Sequence, residues 1–181
     1  MEGKSTRVGW SFWLLWVLAS TVGGIAGNSI ATSSAKSWAV AGTLIGAGTG
    51  IMQWLLLQRE IPRAAWWIPA SAVGGALGLS AGMGLSERGV FVCGSLSGGV
   101  WIGILTGIPQ WFILGRRVSQ SGWWVLASIL AWGVGWNVGF AIAPGTAAGA
   151  GMTFAITGAV TGLALIWLLS HQELQRGRDG G

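Results

Sequence analysis

The sequence has few charged residues. Only 10 of its 181 residues are Lys or Arg and 5 are Asp or Glu, a charged fraction of 8%, against about 25% in a typical soluble domain. So few charges cannot cover a surface exposed to water. Intrinsic disorder is also excluded, because it requires low hydrophobicity and high net charge. The composition therefore predicts a membrane protein.

The sequence also lacks groups that perform chemistry. A single cysteine, Cys93, excludes a disulfide framework, and the single histidine, His171, follows the last apolar run with no Cys, His or carboxylate directly beside it. Ionisable residues are absent from the middle of every apolar run, although proton relays and ion-coupled carriers normally place them there. No nucleophile–base pair, phosphate-binding loop or metal-ligand spacing is present. We predict that the protein is not an enzyme.

Apolar residues are abundant instead, at 52% of the chain with 33 Gly and 14 Trp. They form six nearly uncharged runs, each long enough to cross about 30 Å of hydrocarbon at about 1.5 Å per residue. The runs cover about 8–30, 38–57, 64–85, 89–114, 122–142 and 150–170. The basic residues lie between runs and form no stripe, so nucleic acid is not an expected partner. The sequence predicts an all-α integral membrane protein with six transmembrane helices in a single domain, 1–181.

An internal repeat organises this domain. Residues 42–79 align without a gap on residues 99–136, with 15 identical pairs in 38. Composition inflates matches between glycines, but it cannot hold Gln, Arg, Ser and Thr in one register. Three two-helix units follow, at about 8–57, 64–114 and 122–170, with a cytoplasmic tail at 171–181. Because each unit crosses twice, the repeats are parallel, and a pseudo-threefold bundle is expected.

The Lys and Arg residues predict the orientation. Eight fall on one side of the predicted topology and two on the other. The larger set is Lys4, Arg7, Arg59, Arg63, Arg116, Arg117, Arg176 and Arg178, and the smaller is Lys36 and Arg88. Since short cytoplasmic loops carry the excess of basic residues, both termini are predicted to be cytoplasmic, in a plasma (inner) membrane or a thylakoid membrane.

Small residues recur at every fourth position of the apolar runs. This spacing places them on one helix face, where missing side chains let two backbones approach closely. The predicted packing glycines are Gly42, Gly46, Gly50, Gly74, Gly78, Gly99, Gly103, Gly107, Gly135, Gly139, Gly158 and Gly162. An interior built from such stripes is expected to be close-packed, with little room for a cavity.

Ten of the 14 tryptophans fall near the predicted cytoplasmic ends of the helices. The simple interpretation is an interfacial belt, because indole prefers the headgroup boundary. Trp and Arg are also enriched at binding hot spots, so the same edge is a candidate for docking a partner or contacting a pigment or lipid. The candidate residues are Gln53, Trp54, Arg59, Trp66, Trp67, Gln110, Trp111, Arg116, Trp123 and Trp124.

Polar residues also recur in the repeat. The two glutamines are expected to bridge helices; the alternative is that their oxygens ligate the magnesium of a chlorophyll, and carotenoid or lipid are the other candidate contacts. Leu165 stands at the equivalent position of the third unit. Ser20, Ser71 and Ser128 also align, and their hydroxyls are expected to bond to carbonyls of their own helices.

The repeated string QW-(L/F)-(L/I)-L-x-R, followed by a WW pair and Ala-Ser, resembles a group of uncharacterised polytopic membrane proteins of cyanobacteria and other phototrophic bacteria. The resemblance covers most of residues 42–136 and implies a photosynthetic setting. The chain departs from the pattern at Leu165 and at His171, which stands where the other units have Arg.

Two functions are compatible with these features. The first is a non-catalytic membrane subunit, or an assembly or stabilising factor, of a larger complex, which the resemblance implies to be photosynthetic. The alternative is a component that binds or transports a small, vitamin-like solute, because six short helices in 181 residues look like the substrate-binding subunits of vitamin uptake systems. Membrane lipids are expected partners under either hypothesis.

Overall fold

A computed structural model describes residues 9–88, 97–116, 118 and 120–179, which form six α-helices and, within those ranges, no strand. The helices are α1 Trp10–Ser34, α2 Trp38–Leu57, α3 Trp67–Glu87, α4 Ser97–Leu114, α5 Trp123–Ile142 and α6 Ala147–Asp179, with a 3-10 turn at Ala64–Trp66 before α3. Five of them are long and apolar enough to cross a membrane, and the described part of α4 is apolar but shorter. The predicted all-helical membrane class is confirmed.

Some predicted features lie outside these ranges. They are the start of the fourth run at 89–96 with Cys93, the basic residues Lys4, Arg7 and Arg117, and the last two residues of the tail.

Side-chain hydroxyl groups cap the N-termini of two helices, α2 and α6. The Ser37 hydroxyl accepts a hydrogen bond from the backbone N–H of Val40 at 3.3 Å, and the Thr146 hydroxyl accepts one from Gly149 at 3.1 Å. Both satisfy a donor that the first turn of a helix leaves unpaired. α6 therefore begins three residues before the predicted boundary, and it continues for 33 residues. The tail predicted at 171–181 continues α6 as helix through residue 179. Residues 171–176 contain neither Pro nor Gly, which favours this continuation.

The six helices close into a ring. Each helix packs against the helix before and after it in sequence, and α6 packs against α1. The glycines explain how neighbours approach so closely: a Cβ on Gly46 would collide with the backbone carbonyl of Ser71 on α3. A Cβ on Gly103 would lie 2.6 Å from the Cα of Ile129 on α5. All twelve predicted packing glycines face a neighbouring helix in this way.

The prediction of a close-packed interior is wrong. The glycines bring neighbouring helices together around the ring, and a cavity of about 670 Å³ remains at its centre. The reason is that helices carry small residues on two flanks. On α3, Gly74 faces the Leu105 carbonyl of α4, whereas the adjacent Gly75 faces the Gly42 carbonyl of α2. Two narrow flanks per helix favour a ring over a bundle with a filled centre.

Candidate ligand cavity

The cavity is lined by residues from all six helices. Its wall is mostly apolar, with side chains such as Ile45, Leu79 and Phe154, and it carries hydroxyl and amide groups at intervals. Lys36, in the connection between α1 and α2, is the one ionisable side chain among the described lining residues. This wall suits a solute that carries no charge in its deep part, because burying an unpaired charge is costly.

Three buried tryptophans close one end of the cavity. Trp16, Trp67 and Trp124, here called the tryptophan floor, are at most 1% exposed and meet edge to face, with ring centroids 5.4 to 6.4 Å apart. Edge-to-face contact is a favoured geometry for aromatic pairs. Beneath the indoles, fully buried leucines complete the seal: Leu57, Leu114 and Leu165.

The floor corrects the predicted tryptophan belt. Trp67 and Trp124 were candidates for a docking surface, but both are buried inside the helix ring. Their neighbours in sequence, Trp66 and Trp123, are 65% and 57% exposed. One tryptophan of each WW pair therefore points into the ring and the other points away from it.

Two glutamines tie the floor to the wall. The amide nitrogen of Gln53 donates to the Ser20 hydroxyl at 3.0 Å, and its oxygen accepts from the indole N–H of Trp67 at 2.8 Å. The Gln53 amide on α2 thus joins α1 and α3 as well, as the bridging interpretation predicted. The amide oxygens, which the alternative assigned to a chlorophyll magnesium, are bonded to indoles.

Gln110 makes the same two bonds one unit further along the chain. Its amide nitrogen donates to the Ser71 hydroxyl at 2.9 Å, and its oxygen accepts from Trp124 at 3.0 Å. Both glutamines are at least nine-tenths buried and line the cavity.

The third position around the floor is different. The sequence alignment that put Leu165 at the glutamine position is wrong, because Leu165 packs beneath the floor with Leu57 and Leu114. Thr161 takes that position: it lies three residues after Gly158, as Gln53 and Gln110 lie three residues after Gly50 and Gly107. Trp16 therefore donates to the Thr161 hydroxyl at 3.1 Å. Thr161 in turn donates to the Thr157 carbonyl at 2.6 Å. The third serine, Ser128, has no hydrogen-bond partner among the described residues, although it is 2% exposed and lines the cavity.

The predicted role of the aligned serines is therefore wrong for Ser128, whose hydroxyl does not bond to its own helix. Ser20 and Ser71 instead accept hydrogen bonds from glutamine amides. Two threonines of the wall behave as the serines were expected to: Thr49 donates to the Ile45 carbonyl at 2.9 Å, and Thr106 donates to the Ile102 carbonyl at 2.6 Å.

The opposite end of the cavity is its mouth. Asn28, Lys36 and Met83 line it there, and the indole N–H of Trp38 donates to the Glu87 carboxylate at 2.9 Å, which links α2 to the end of α3. The tryptophan floor thus closes one end of the cavity, and the part of the chain that the structure describes leaves the other end open.

The remaining candidate docking residues lie on the outside. Arg59, Arg116, Trp66, Trp111 and Trp123 are exposed. Trp54 is half-buried. The docking surface stays a prediction for this smaller set, since its former members Gln53, Trp67, Gln110 and Trp124 belong to the cavity.

The sequence analysis did not identify Trp16 and Thr161 as members of this site, and it did not predict that the Ser128 hydroxyl lacks a partner among the described residues. A signal for the first was present, because the string WVLAS occurs at both 16–20 and 124–128. Comparisons with protein-family models, curated proteins and solved structures give no match for this chain. Its function has to be argued from the cavity itself.

Proposed function

We propose that the protein is an integral membrane component that binds a small, uncharged, largely apolar solute in its central cavity, as a solute-binding or transport component. The observation that carries this proposal is the cavity of about 670 Å³, lined from all six helices and closed at one end. Ligand sites commonly have volumes of roughly 300–1,000 Å³ and apolar walls with a few polar groups. This wall has the same character.

The proposal includes six transmembrane helices in three parallel units around a pseudo-threefold axis. Its support is the recurrence of one contact, in which a serine side chain packs on a glycine of the adjacent helix. The pairs are Gly50 with Ser71, Gly107 with Ser128 and Gly158 with Ser20. Lipid offers no hydrophobic drive for helices to associate, so close backbone contacts of this kind have to hold the ring together.

A subunit that only packs against a larger complex has no need for such a cavity. Its helices could bury their small faces against one another and leave the centre filled. The wall instead surrounds an open space and carries a buried hydroxyl, that of Ser128, with no partner among the described residues. Such a group has a cost that a purely structural role does not explain. We therefore prefer the solute-binding function to the complex-subunit function.

The orientation is also part of the proposal. The floor end of the ring carries the exposed basic residues Arg59, Arg63 and Arg116, and the mouth carries Lys36 and Arg88. If the richer end faces the cytoplasm, the mouth opens to the opposite side, where a solute would enter from the periplasm or lumen.

Cysteine labelling tests this orientation. In a Cys93→Ala background, we expect Thr32→Cys, near the mouth, to react with a membrane-impermeant maleimide on intact cells or right-side-out vesicles. Gln120→Cys, in the connection between α4 and α5, should react only after the membrane is permeabilised. Labelling of both positions from the same side would contradict the topology.

Filling the cavity tests the binding function. The probe is 1-methylnaphthalene, measured by equilibrium dialysis against the protein in lipid nanodiscs, with binding to empty nanodiscs subtracted. We expect one probe per wild-type protein. Ile45→Trp, which adds an indole inside the cavity, should weaken binding at least about tenfold, a difference of about 1.4 kcal/mol.

The matched control is Ile51→Trp on the same helix. Ile51 is exposed on the outer face of the ring, so its replacement should leave binding of the probe unchanged. Absence of stoichiometric binding to the wild-type protein, or equal binding by both variants, would contradict the proposed function.

A further inference from the structure

The third unit differs from the other two in the surroundings of one hydroxyl group, that of Ser128. Ser20 and Ser71 each receive a hydrogen bond from a glutamine amide. The third unit has Thr161 at the glutamine position, and its hydroxyl donates to the Thr157 carbonyl, which leaves Ser128 without a donor among the described residues. A buried hydroxyl without a partner is unfavourable and rare in folded proteins. Ser128 is also placed to meet a ligand, because it lines the cavity beside the tryptophan floor.

From this we propose that Ser128 is the polar anchor of the cavity's ligand, and that the ligand is an uncharged molecule with an apolar body and one hydroxyl or carbonyl group. The inference rests on the proposed function and names its ligand class. In the bound state the polar group of the ligand takes the place that the Gln amide occupies at the two equivalent serines.

The chemistry of the wall determines the rest of the ligand. A serine hydroxyl both donates and accepts, so it pairs with a carbonyl oxygen or with another hydroxyl. The other hydroxyls nearby are already occupied: Thr106 and Thr161 each donate to a backbone carbonyl at 2.6 Å. A ligand that meets one free polar group in an apolar cavity gains most from a single polar group of its own.

Charge on the ligand is disfavoured near the floor. Within the described lining, Lys36 is the one ionisable residue, and it lies at the mouth, at the far end from Trp124 and Ser128. An ionic group held beside Ser128 would be desolvated without a counter-charge. An uncharged polar group avoids this cost.

A pair of isosteric probes tests the anchor. 1-Naphthol and 1-methylnaphthalene differ by a hydroxyl in place of a methyl, and 1-naphthol is uncharged at neutral pH. Dissociation constants are measured by equilibrium dialysis with the protein in nanodiscs. For Ser128→Ala we expect 1-naphthol to bind roughly five- to tenfold more weakly than to the wild type, from the loss of one buried hydrogen bond. Binding of 1-methylnaphthalene should stay within about twofold, since the methyl forms no such bond.

A second variant keeps Ser128 and supplies its hydroxyl with a hydrogen-bond donor from the protein. Thr161→Gln places an amide where it can donate to Ser128, as Gln53 donates to Ser20. Its oxygen can still accept from the Trp16 indole, as the Gln53 oxygen accepts from Trp67. We expect the same selective loss of 1-naphthol affinity, and retained 1-methylnaphthalene binding shows that the variant is folded. The control is Thr21→Val, because the Thr21 hydroxyl bonds to the Val17 carbonyl at 2.8 Å and does not line the cavity.

The outcomes separate the two proposals. If both probes bind the wild type and Ser128→Ala leaves 1-naphthol affinity unchanged, the anchor is wrong and the proposed function stands. The anchor is also wrong if both probes weaken equally in Ser128→Ala, or if Thr21→Val has the same effect. If neither probe binds the wild type, the proposed function and the anchor are both wrong.

Discussion

Replacing Trp124 by Ala is expected to lower the free energy of unfolding by about 3–5 kcal/mol, the usual cost of truncating a buried aromatic side chain to alanine. Trp124 is 1% exposed and contacts both other indoles of the tryptophan floor. Its removal also takes a hydrogen bond from the amide oxygen of Gln110, which then stays buried without that donor. The loss should appear as a lower denaturation midpoint of the purified protein in mild detergent.

The adjacent residue provides the control. Trp123 is 57% exposed and lies outside the floor, so Trp123→Ala should change the free energy of unfolding by less than about 1 kcal/mol. The two variants have the same composition and hydropathy, and only the direction of one indole differs. Equal destabilisation by the two would contradict the floor as a packed element.

The sequence predicted this region in part. The repeat placed the Trp pairs, the glutamines and the serines in register. It also showed that the third unit lacks the glutamine, but it put Leu165 at that position, where the structure has Thr161. Hydropathy could not decide which indole points inward, because an apolar ring with one N–H fits a headgroup boundary and a bridged interior equally well. Neighbouring residues on a helix point about 100° apart, so one member of each WW pair had to face differently from the other. The identity of that member depends on the ring of helices and not on local sequence.

The cavity could not be predicted from the glycine spacing alone. A stripe of small residues determines how closely two helices approach, but it does not determine whether six helices fill their centre or enclose a space. The deciding feature is the second stripe. Gly74 and Gly75 are adjacent, and they face α4 and α2 respectively. Adjacent glycines indicate a helix with two close neighbours on different sides, which is the signal that the one-stripe interpretation overlooked.

The free hydroxyl illustrates a different limit. Aligned serines predict equivalent surroundings, but a hydrogen bond depends on the partner, which comes from another helix of the unit. The absence of a third glutamine was visible in the sequence, although the alignment put Leu165 at that position and the structure puts Thr161 there. Its consequence at Ser128 became visible only when the structure showed that each glutamine donates to the serine of its own unit.

Replacing Gly46 by Leu is expected to have the second large effect. A Cβ at Gly46 would collide with the Ser71 carbonyl, which is backbone and cannot rotate away. α2 and α3 would have to separate, and Ser71 also receives the hydrogen bond of Gln110, so the strain reaches the floor. Overpacking costs about 1–3 kcal/mol and sometimes more; with a backbone obstacle we expect about 3 kcal/mol or a failure to fold. Gly103→Leu should behave alike, because its Cβ would lie 2.6 Å from the Ser128 carbonyl.

The matched control for both variants is Gly84→Leu on α3. Within the described ranges, no atom apart from the backbone of α3 itself lies within 4 Å of a Cβ at that position, so the same substitution meets open space there. Leucine also favours a helix more than glycine does, by up to about 1 kcal/mol. The control should therefore be as stable as the wild type or slightly more stable. The measurement is the thermal midpoint of the monodisperse species in size-exclusion chromatography in detergent. Wild-type midpoints for Gly46→Leu and Gly103→Leu would show that the two helices do not touch at these glycines, and the closed ring would then be wrong.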